Sequence, residues 1–328
     1  MRQLGGYVAA ALSVTLLLGA CEESVNPILE SSQRFTIFGT LDMNQDTQYV
    51  RVIPIRPILE PADGRLEVTF TSTDLDTGER ITWHDSTVQF IDRSIGHVFY
   101  TPLRVRPGHT YRVEIQAPGS DVITSAETTL PGHPTPIVMP EQVMSFTTPS
   151  GTSVTATQEI LWQGVTRAPY AIEHWYRFFV IDDYSFRDVN MPNSVFNVPD
   201  PNTPDTWQVR LNLVGDRIVV DTLIELTQGT ALAGLGMTLT LLDEAFVPPG
   251  GVFDPEVLSQ PGTLSNVDNG FGFLGSVGRF SVEWIIADTS ARVLRYNPLG
   301  TALGKAPPEV LSRLRQNGMD VRAYGDGF

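Results

Sequence analysis

The sequence predicts a mainly β protein, and two observations carry that prediction. Apolar residues alternate with polar ones in several short segments, as they do in a strand that buries one face. Glycine and proline are also frequent, at 28 and 24 of 328 residues, and they are spread along the whole chain. Such a distribution favours many short strands joined by turns.

Residues 34–131 are predicted to form an immunoglobulin-like β-sandwich. The segments 66–70 and 111–115 alternate strictly between apolar and polar side chains. No Cys…Trp…Cys pattern is present, which excludes the antibody-type core. About seven short strands in roughly a hundred residues is the spacing of a sandwich. The remaining strands are expected at 34–41, 48–56, 80–83 and 122–130.

A proline-rich segment at 131–136, with the sequence PGHPTP, predicts a domain boundary. Residues 137–328 are then a second β-rich domain with a minor helix near the C-terminus. A helix is expected at 308–317, where apolar residues recur at helical spacing before Gly318.

Within this second domain, the apolar and aromatic run at 172–181 predicts a strand buried on both faces. The segment 190–206 holds four prolines and four asparagines and is expected to be a long surface loop. Further strands are predicted at 209–213 and 218–226. The segment 234–242 fits a strand or a helix equally well.

The first twenty residues predict a lipoprotein signal peptide. A short apolar run follows Arg2 and ends in Leu18-Gly19-Ala20-Cys21, which resembles a bacterial lipobox. The run is about a dozen residues, whereas a transmembrane helix needs about 20. We therefore expect residues 1–20 to be removed, Cys21 to carry the lipid, and residues 21–33 to form a tether.

Lipidation would hold the protein on the cell outer membrane, facing either the periplasm or the surface. Because Cys21 is the only cysteine, its lipidation leaves no thiol for a disulfide. Glu22 and Glu23 resemble surface-export signals, and they fit a solvated tether equally well.

The chain is acidic, with a formal net charge of −15, and loss of Arg2 with the signal peptide makes it one unit more negative. Nucleic acid is excluded as a partner on this ground, because phosphate binding needs a basic surface. Broad electrostatic adhesion to anionic lipid is disfavoured for the same reason.

Three further segments carry a family resemblance. They are FGTLD at 38–42, PGHTYRV at 107–113 followed by AETTLP at 126–131, and LSNVDNGFGFLG at 264–275. With the lipobox, their order and spacing resemble an outer-membrane lipoprotein family of unknown function, typical of Bacteroidetes-like bacteria. The resemblance implies an immunoglobulin-like N-terminal half and a TonB-dependent receptor as a partner. The sequence departs from the family at Leu274, where an aromatic residue is expected.

The glycine-rich segment has a physical interpretation of its own. Gly270, Gly272 and Gly275 could allow positive φ or close backbone approach. A phosphate loop would need a helix to follow, whereas residues 278–284 alternate like a strand. We therefore predict a glycine-kinked entry into a C-terminal strand.

No catalytic or metal-binding motif stands out. The segment 42–46 resembles the opening of a calcium loop, but Thr47 and Ile53 stand where an EF-hand needs glycine and glutamate. A polar turn between strands is therefore expected. Asp182-Asp183 and Asp243-Glu244 are candidate acid pairs for glycoside hydrolysis, although acids that end strands usually face solvent.

The five histidines are expected in turns, at sheet edges and on the surface. His84 precedes Asp85 and His174 follows Glu173, but neighbouring residues of a strand point to opposite faces. These pairs are therefore poor candidates for a catalytic relay. The chain also lacks HExxH and GxSxG motifs.

Aromatic residues are concentrated in the second domain, and Phe186, Phe196 and Trp207 are the candidate exposed ligand contacts. The sequence favours a non-enzymatic, lipid-anchored envelope protein that binds an unidentified ligand, with no cofactor and no metal. The alternatives are a surface hydrolase acting on glycans or peptides and a structural or adhesive surface protein.

Overall fold

The computed structural model describes residues 34–55, 65–89, 95–149, 151–180, 184–191, 196–199, 203–223, 230–243, 265–303 and 306–316. These residues fold mainly into β-strands with few helices, which confirms the predicted all-β class. The predicted signal peptide and tether lie outside the described residues.

The first eight strands belong to the predicted N-terminal domain. They are β1 (Phe35–Asp42), β2 (Gln48–Pro54), β3 (Thr69–Asp74), β4 (Arg80–Thr82), β5 (His84–Gln89), β6 (Ile95–Thr101), β7 (Thr110–Gln116) and β8 (Ile123–Thr129).

Eleven described strands follow. They are β9 (Thr135–Val138), β10 (Gln142–Thr148), β11 (Gly151–Gln163), β12 (Ala171–Val180), β13 (Ser185–Asn190), β14 (Phe196–Pro199), β15 (Thr206–Asn212), β16 (Thr230–Leu242), β17 (Val267–Asp268), β18 (Gly270–Trp284) and β19 (Asn297–Pro298). The described helices are α1 (Leu213–Leu223), α2 (Asp288–Val293), α3 (Leu299–Leu303) and α4 (Pro308–Gln316).

These strands form three sheets. The large sheet has the order β13-β12-β16-β18-β1-β2-β6-β5, with β19 added beside β16. The second sheet has the order β10-β11-β15-β14, with β9 beside β11, and the third has the order β17-β8-β7-β3-β4.

The N-terminal core lies between the third sheet and one half of the large sheet. Ile37 and Val52 of the large sheet are fully buried there, as are Val113 and Ile115 of the third sheet. The strict alternation of β7, with every second residue buried, is the period of two that the sequence predicts. The arrangement is a two-sheet sandwich.

A second feature of this sandwich is the hydroxyl of Tyr111, at the start of β7. It accepts a hydrogen bond from the backbone N–H of Arg106, five residues upstream, at 3.1 Å. Such a tyrosine corner is typical of immunoglobulin-like sandwiches, and it supports that prediction.

The C-terminal core lies between the other half of the large sheet and the second sheet, with α1 packed against β11. Ile160 and Trp162 of β11 and Tyr176 of β12 are fully buried there. β12 alternates along most of its length and is buried on both faces only at its last three residues. The predicted strand is therefore confirmed, but most of it buries one face only.

The two predicted domains share the large sheet. β18 pairs in parallel with β1, from Gly270 beside Phe35 to Val277 beside Asp42, and it also pairs with β16. The segment 131–136 therefore separates two cores but not two sheets. A proline-rich turn is a local signal, and it carries no information on a later strand that returns to the first one.

The predicted strand at 218–226 is wrong, because the chain is helical as far as Leu223. The side chain of Asn212 accepts a hydrogen bond from the N–H of Gly215 at 3.0 Å, which is an N-cap contact. Leu213, Asp216 and Val220 are buried at helical spacing. The β-branched run at 218–220 favours a strand by composition, but the cap and the packing of one face decide for a helix.

Two other elements differ from expectation. Strand β14 lies inside the segment predicted as a long surface loop and pairs with β15. The ambiguous segment 234–242 belongs to strand β16, nearly all of which is buried. The helix predicted at 308–317 is confirmed as α4, and Gly318 lies outside the described residues.

Candidate ligand-binding groove

A groove of about 510 Å³ opens on the outer face of the large sheet, where β16, β18 and β1 lie side by side. The outer face is the one turned away from the two cores. The groove is lined by Thr40, Asp42, Tyr170, Thr240, Leu242, Phe273, Gly275, Ser276, Val277 and Arg279. It combines an aliphatic floor, two aromatic rings and one charged pair, a composition typical of a small-molecule site.

The glycine-rich segment shapes this groove. Gly272 has φ of 103°, and a Cβ atom there would lie 2.0 Å from the carbonyl oxygen of Ile37. Glycine is therefore required where β18 meets β1. At Gly275 a Cβ atom would lie 2.6 Å from the ring of Phe273, so this ring lies over the bare backbone at one end of the groove. The predicted glycine-kinked entry into a strand is confirmed.

A charged pair closes another side of the groove. Nη1 of Arg279 donates to Oδ2 of Asp42 at 2.8 Å. Asn44 holds the same arginine by its backbone, since Nδ2 of Asn44 donates to the carbonyl of Arg279 at 3.0 Å and Oδ1 accepts its N–H at 2.9 Å. The turn between β1 and β2 is thereby fixed to β18, 235 residues away in sequence.

The same turn contains the segment 42–46, which resembles the opening of a calcium loop. Gln48 is 1% exposed, and its Nε2 donates to the carbonyls of Asp42, Gln45 and Leu103, each at 3.0 Å. Its Oε1 accepts the N–H of Asp42 at 2.8 Å. A buried glutamine thus organises this segment as the predicted polar turn.

A row of three rings lies on the outer face, across strands β2, β6 and β5. Tyr49 is paired with Tyr100, and Tyr100 with His84. The ring centroids are 6.3 Å apart in the first pair and 5.7 Å in the second. Tyr49 is 58% exposed and Tyr100 37%. We call these three residues the aromatic row.

Phe38 and Thr40 of β1 lie between the aromatic row and the groove. Phe38 is 48% exposed and pairs with Phe273 on one side and Arg51 on the other. The row and the groove therefore share one continuous sheet face.

A second pocket of about 300 Å³ lies beside the junction of the two cores. It includes Arg104, His133 and Arg279 among its lining residues. Both arginines already face carboxylates, since Arg104 lies 4.0 Å from Asp46 and Arg279 is bonded to Asp42. The pocket is therefore not a basic site.

Two histidines are buried against carboxylates, which corrects the prediction that all five lie in turns, at edges or on the surface. Nδ1 of His97 lies 3.2 Å from Oδ1 of Asp85. Nε2 of His174 lies 3.0 Å from Oδ2 of Asp216 on helix α1. The sequence suggests neither pair, because the partners are distant along the chain.

The second of these pairs belongs to a network in the C-terminal core. The hydroxyl of Tyr176 donates to Oδ2 of Asp216 at 2.9 Å. Burial, together with the negative charge of Asp216, raises the pKa of Tyr176 well above its ordinary value. Nδ1 of His174 has no hydrogen-bond partner among the described residues. The network borders neither described pocket, and its bonds join β12 to α1, so it holds the helix on the sheet.

Asp74, Asp76 and His109 are the one set of metal-capable side chains in the part of the chain that the structure describes. Oδ2 of Asp74 lies 3.0 Å from Nδ1 of His109 and 3.8 Å from Arg106. Its Oδ1 accepts the N–H groups of Asp76 and Thr77. These hydrogen bonds already engage both carboxylate oxygens of Asp74, and the nearby guanidinium disfavours a cation.

Burial by itself raises the pKa of Asp74, but the hydrogen bonds from His109, Asp76 and Thr77 outweigh it. The pKa of Asp74 therefore falls below its ordinary 3.8.

The predicted ligand-contact residues fall elsewhere. Phe186 is partly buried against a small cluster beneath α3 and α4, and Trp207 is partly buried against the C-terminal core. Neither is an exposed anchor, because each lies on a strand that packs against neighbouring elements. Phe196 is in β14, and its side chain lies outside the described residues.

Of the remaining predicted site residues, only Asp243 lies within the described part of the chain. The lipobox residues, Leu18, Gly19, Ala20 and Cys21, lie outside the described residues, as do Asp182-Asp183 and Glu244. Asp243 is 3% exposed, against the expectation that it faces solvent, and it accepts a hydrogen bond from Thr128.

Sequence reasoning missed the groove and the aromatic row. The signal is present in β2, where Val50 and Val52 face the core and Tyr49 and Arg51 alternate with them. A large aromatic residue at a solvent-facing position becomes informative only when others join it on the same face. The pairing of β2 with β6 and of β1 with β18 then brings these positions together, and that pairing leaves no local mark.

Among the described residues, no helix is long and apolar enough to cross a membrane. No family model matches the chain, and no curated protein matches it. Two solved structures of a pullulanase from Anoxybacillus sp. LM18-11 are each 9% identical, one of them in complex with maltotriose. Their TM-scores are 0.20 and 0.19, over 62% and 63% of this chain and 24% of each pullulanase chain. The chain spans about a quarter of these proteins, and likenesses this weak indicate neither a shared fold nor a shared ligand.

Proposed function

We propose that this chain is a lipid-anchored binding protein of the cell outer membrane, tethered by a lipid on Cys21. The lipobox-like sequence before Cys21 supports the anchor, and the groove on the large sheet supports the binding role. The groove is the observation that carries the proposal, since it joins an apolar floor to a fixed charged pair on a rigid sheet.

The groove favours binding over hydrolysis. Glycoside hydrolysis needs two carboxyl groups about 5 to 10 Å apart across the scissile bond. The described lining of the groove has one carboxylate, Asp42, and Arg279 is already bonded to it. A carboxylate held as an ion pair is suited to accept hydrogen bonds from a ligand.

The anchor is tested by the mass of the native protein. We expect the purified chain to begin at Cys21, with a diacylglycerol on the sulfur, and to sediment with the outer membrane. A Cys21→Ala variant should keep residues 1–20 and lack the lipid, while Ser24→Ala, three residues further on, serves as a matched control. A bare sulfur in the native protein would contradict the proposal.

The family resemblance further suggests a TonB-dependent receptor as partner. Tagged protein extracted in mild detergent should then bring the receptor with it, and the Cys21→Ala variant should bring less. Recovery of the lipoprotein alone would remove the receptor from the proposal and leave the binding role in place.

A further inference from the structure

We propose that the aromatic row and the groove together bind a chain of neutral sugars laid across the strands of the large sheet. This inference rests on the proposed binding function and names the class of its ligand.

The first argument is the geometry of the rings. Tyr49, Tyr100 and His84 stand on three neighbouring strands, with centroids 6.3 and 5.7 Å apart. Adjacent strands are about 4.8 Å apart, so such a row advances by roughly one ring for each strand. Sugar rings in a linear glycan repeat at a similar distance, and a glycan running across the strands meets one aromatic ring for each sugar.

The second argument is the chemistry of the face. An aromatic ring carries negative potential on its face, and a pyranose ring presents several C–H groups on one side. Stacking therefore buries apolar area while the sugar hydroxyls stay at the edges. Tyr49 and Tyr100 are 58% and 37% exposed, and the planes of their two rings differ by 27°.

The third argument is that the aromatic row adjoins the groove. Thr40 of β1 lies on the same face, and it lines the groove together with Asp42, Thr240 and Arg279. Hydroxyl, carboxylate and guanidinium groups supply the donors and acceptors that sugar hydroxyls need. The groove then holds one end of the chain by hydrogen bonds, and the row supports the rest by stacking.

The charge of the protein favours an uncharged glycan over an acidic one. With a formal net charge of −15, the protein repels acidic glycans, nucleic acids and anionic lipid surfaces. An uncharged glycan carries no such cost, and within the groove the charge of Arg279 is already balanced by Asp42.

The test measures binding of the full lipidated protein, in detergent, to four soluble polysaccharides: a linear α-glucan, a linear β-glucan, a xylan and a galactomannan. Polygalacturonate serves as the acidic comparison. Each stacked ring should be worth about tenfold in affinity. Because neighbouring residues do not contribute independently, the double variant Tyr49→Ala/Tyr100→Ala should weaken binding by at least about tenfold. Tyr49→Phe/Tyr100→Phe keeps both rings and should bind within about threefold of the parent.

Met144→Ala is the matched control, because Met144 is 57% exposed on β10 of the second sheet. It should bind like the parent. Thermal unfolding checks that every variant is folded, and the phenylalanine pair separates loss of the rings from a general loss of structure.

Binding of at least one neutral polysaccharide that the alanine pair loses and the phenylalanine pair keeps would support the proposal. Parent protein that binds none of the four, binds polygalacturonate best, or binds equally well without the rings would overturn it. Sedimentation of the same samples tests whether a second copy of this chain occupies the face instead. A dimer of the parent that the alanine pair abolishes would assign the face to that second copy and overturn the proposal. A failed glycan test with Cys21 lipidated overturns the ligand class alone, whereas a bare Cys21 overturns the anchor and leaves the glycan result standing.

Discussion

The two cores of this molecule handle their buried polar groups differently. In the N-terminal core, Nε1 of Trp83 donates to Oγ of Ser72 at 2.9 Å, and Asp74 is held by several hydrogen bonds. In the C-terminal core, Nε1 of Trp162 and Nδ1 of His174 are buried without a partner among the described residues. An unsatisfied buried polar atom costs about 1 to 3 kcal/mol.

The comparison indicates a division of roles. A core with its polar groups bonded is a rigid support, and the aromatic row lies on the outside of this one. In the C-terminal core, Asp216 of α1 is the acceptor that His174 and Tyr176 share. The two cores meet in the large sheet, so the joint between β1 and β18 decides whether they act as one unit.

The largest expected effect is at that joint. Gly272→Ala places a Cβ atom 2.0 Å from the backbone oxygen of Ile37, at a φ of 103° that alanine disfavours. Backbone cannot rotate away as a side chain can, so we expect a loss of about 4 kcal/mol in the free energy of unfolding. Urea unfolding measures this loss.

The control for this change is Gly132→Ala, because a Cβ atom at Gly132 meets nothing within 4 Å. It should stay within about 0.5 kcal/mol of the parent. Hydrogen exchange adds the comparison of cores: in Gly272→Ala, amides of β7 and β12 should both exchange faster. Faster exchange in β7 alone would mean that the cores unfold independently despite their shared sheet.

The same joint shows what the sequence can and cannot predict. The alternation of β7 is local, and it is correctly predicted from the residues. The parallel pairing of β1 with β18 joins residues more than 230 positions apart, and no local pattern records it. The glycines at 270–275 mark a close approach, but the strand that they approach becomes known only from the fold.

The prediction of a strand at 218–226, where helix α1 lies, was wrong for a different reason. Ile218, Val219 and Val220 favour a strand by their branching, and the cap contact of Asn212 opposes that preference. Burial of Asp216 against His174 is a tertiary contact that reverses the preference. The groove was missed in the same way, since its residues come from three strands and the loop residue Tyr170.

The second prediction sharpens the contrast inside the C-terminal core. Asp216→Ala removes the acceptor shared by His174 and Tyr176 and leaves both buried groups without a partner. We expect a loss of about 3 kcal/mol in unfolding free energy, measured by urea unfolding at pH 7. Ile218→Ala, on the same helix and 69% exposed, should change it by less than about 0.5 kcal/mol. Equal stabilities of the two variants would show that the network does not hold the helix.

The smallest effect concerns the N-terminal core and depends on pH. Asp74→Asn weakens the hydrogen bonds from His109 and from the backbone of Asp76 and Thr77. Because each is a bond to a charged acceptor, we expect a loss of about 2 kcal/mol in the free energy of unfolding at pH 7. Asp121→Asn, at an exposed position, is the matched control and should be neutral.

The sign of the pH dependence follows from the lowered pKa of Asp74. Its folded pKa lies below the ordinary 3.8, so the ionised carboxylate stabilises the fold above about pH 4, and this contribution is lost as the pH falls through the folded value. The difference between the parent and Asp74→Asn should therefore be full at pH 7 and shrink below about pH 4, because the parent loses what the variant lacks. A difference that stays constant down to pH 3 would mean that Asp74 acts through packing alone. The N-terminal core would then be stabilised by packing and not by the hydrogen bonds of Asp74. The difference between the two cores would in that case depend on the C-terminal network of Asp216 alone.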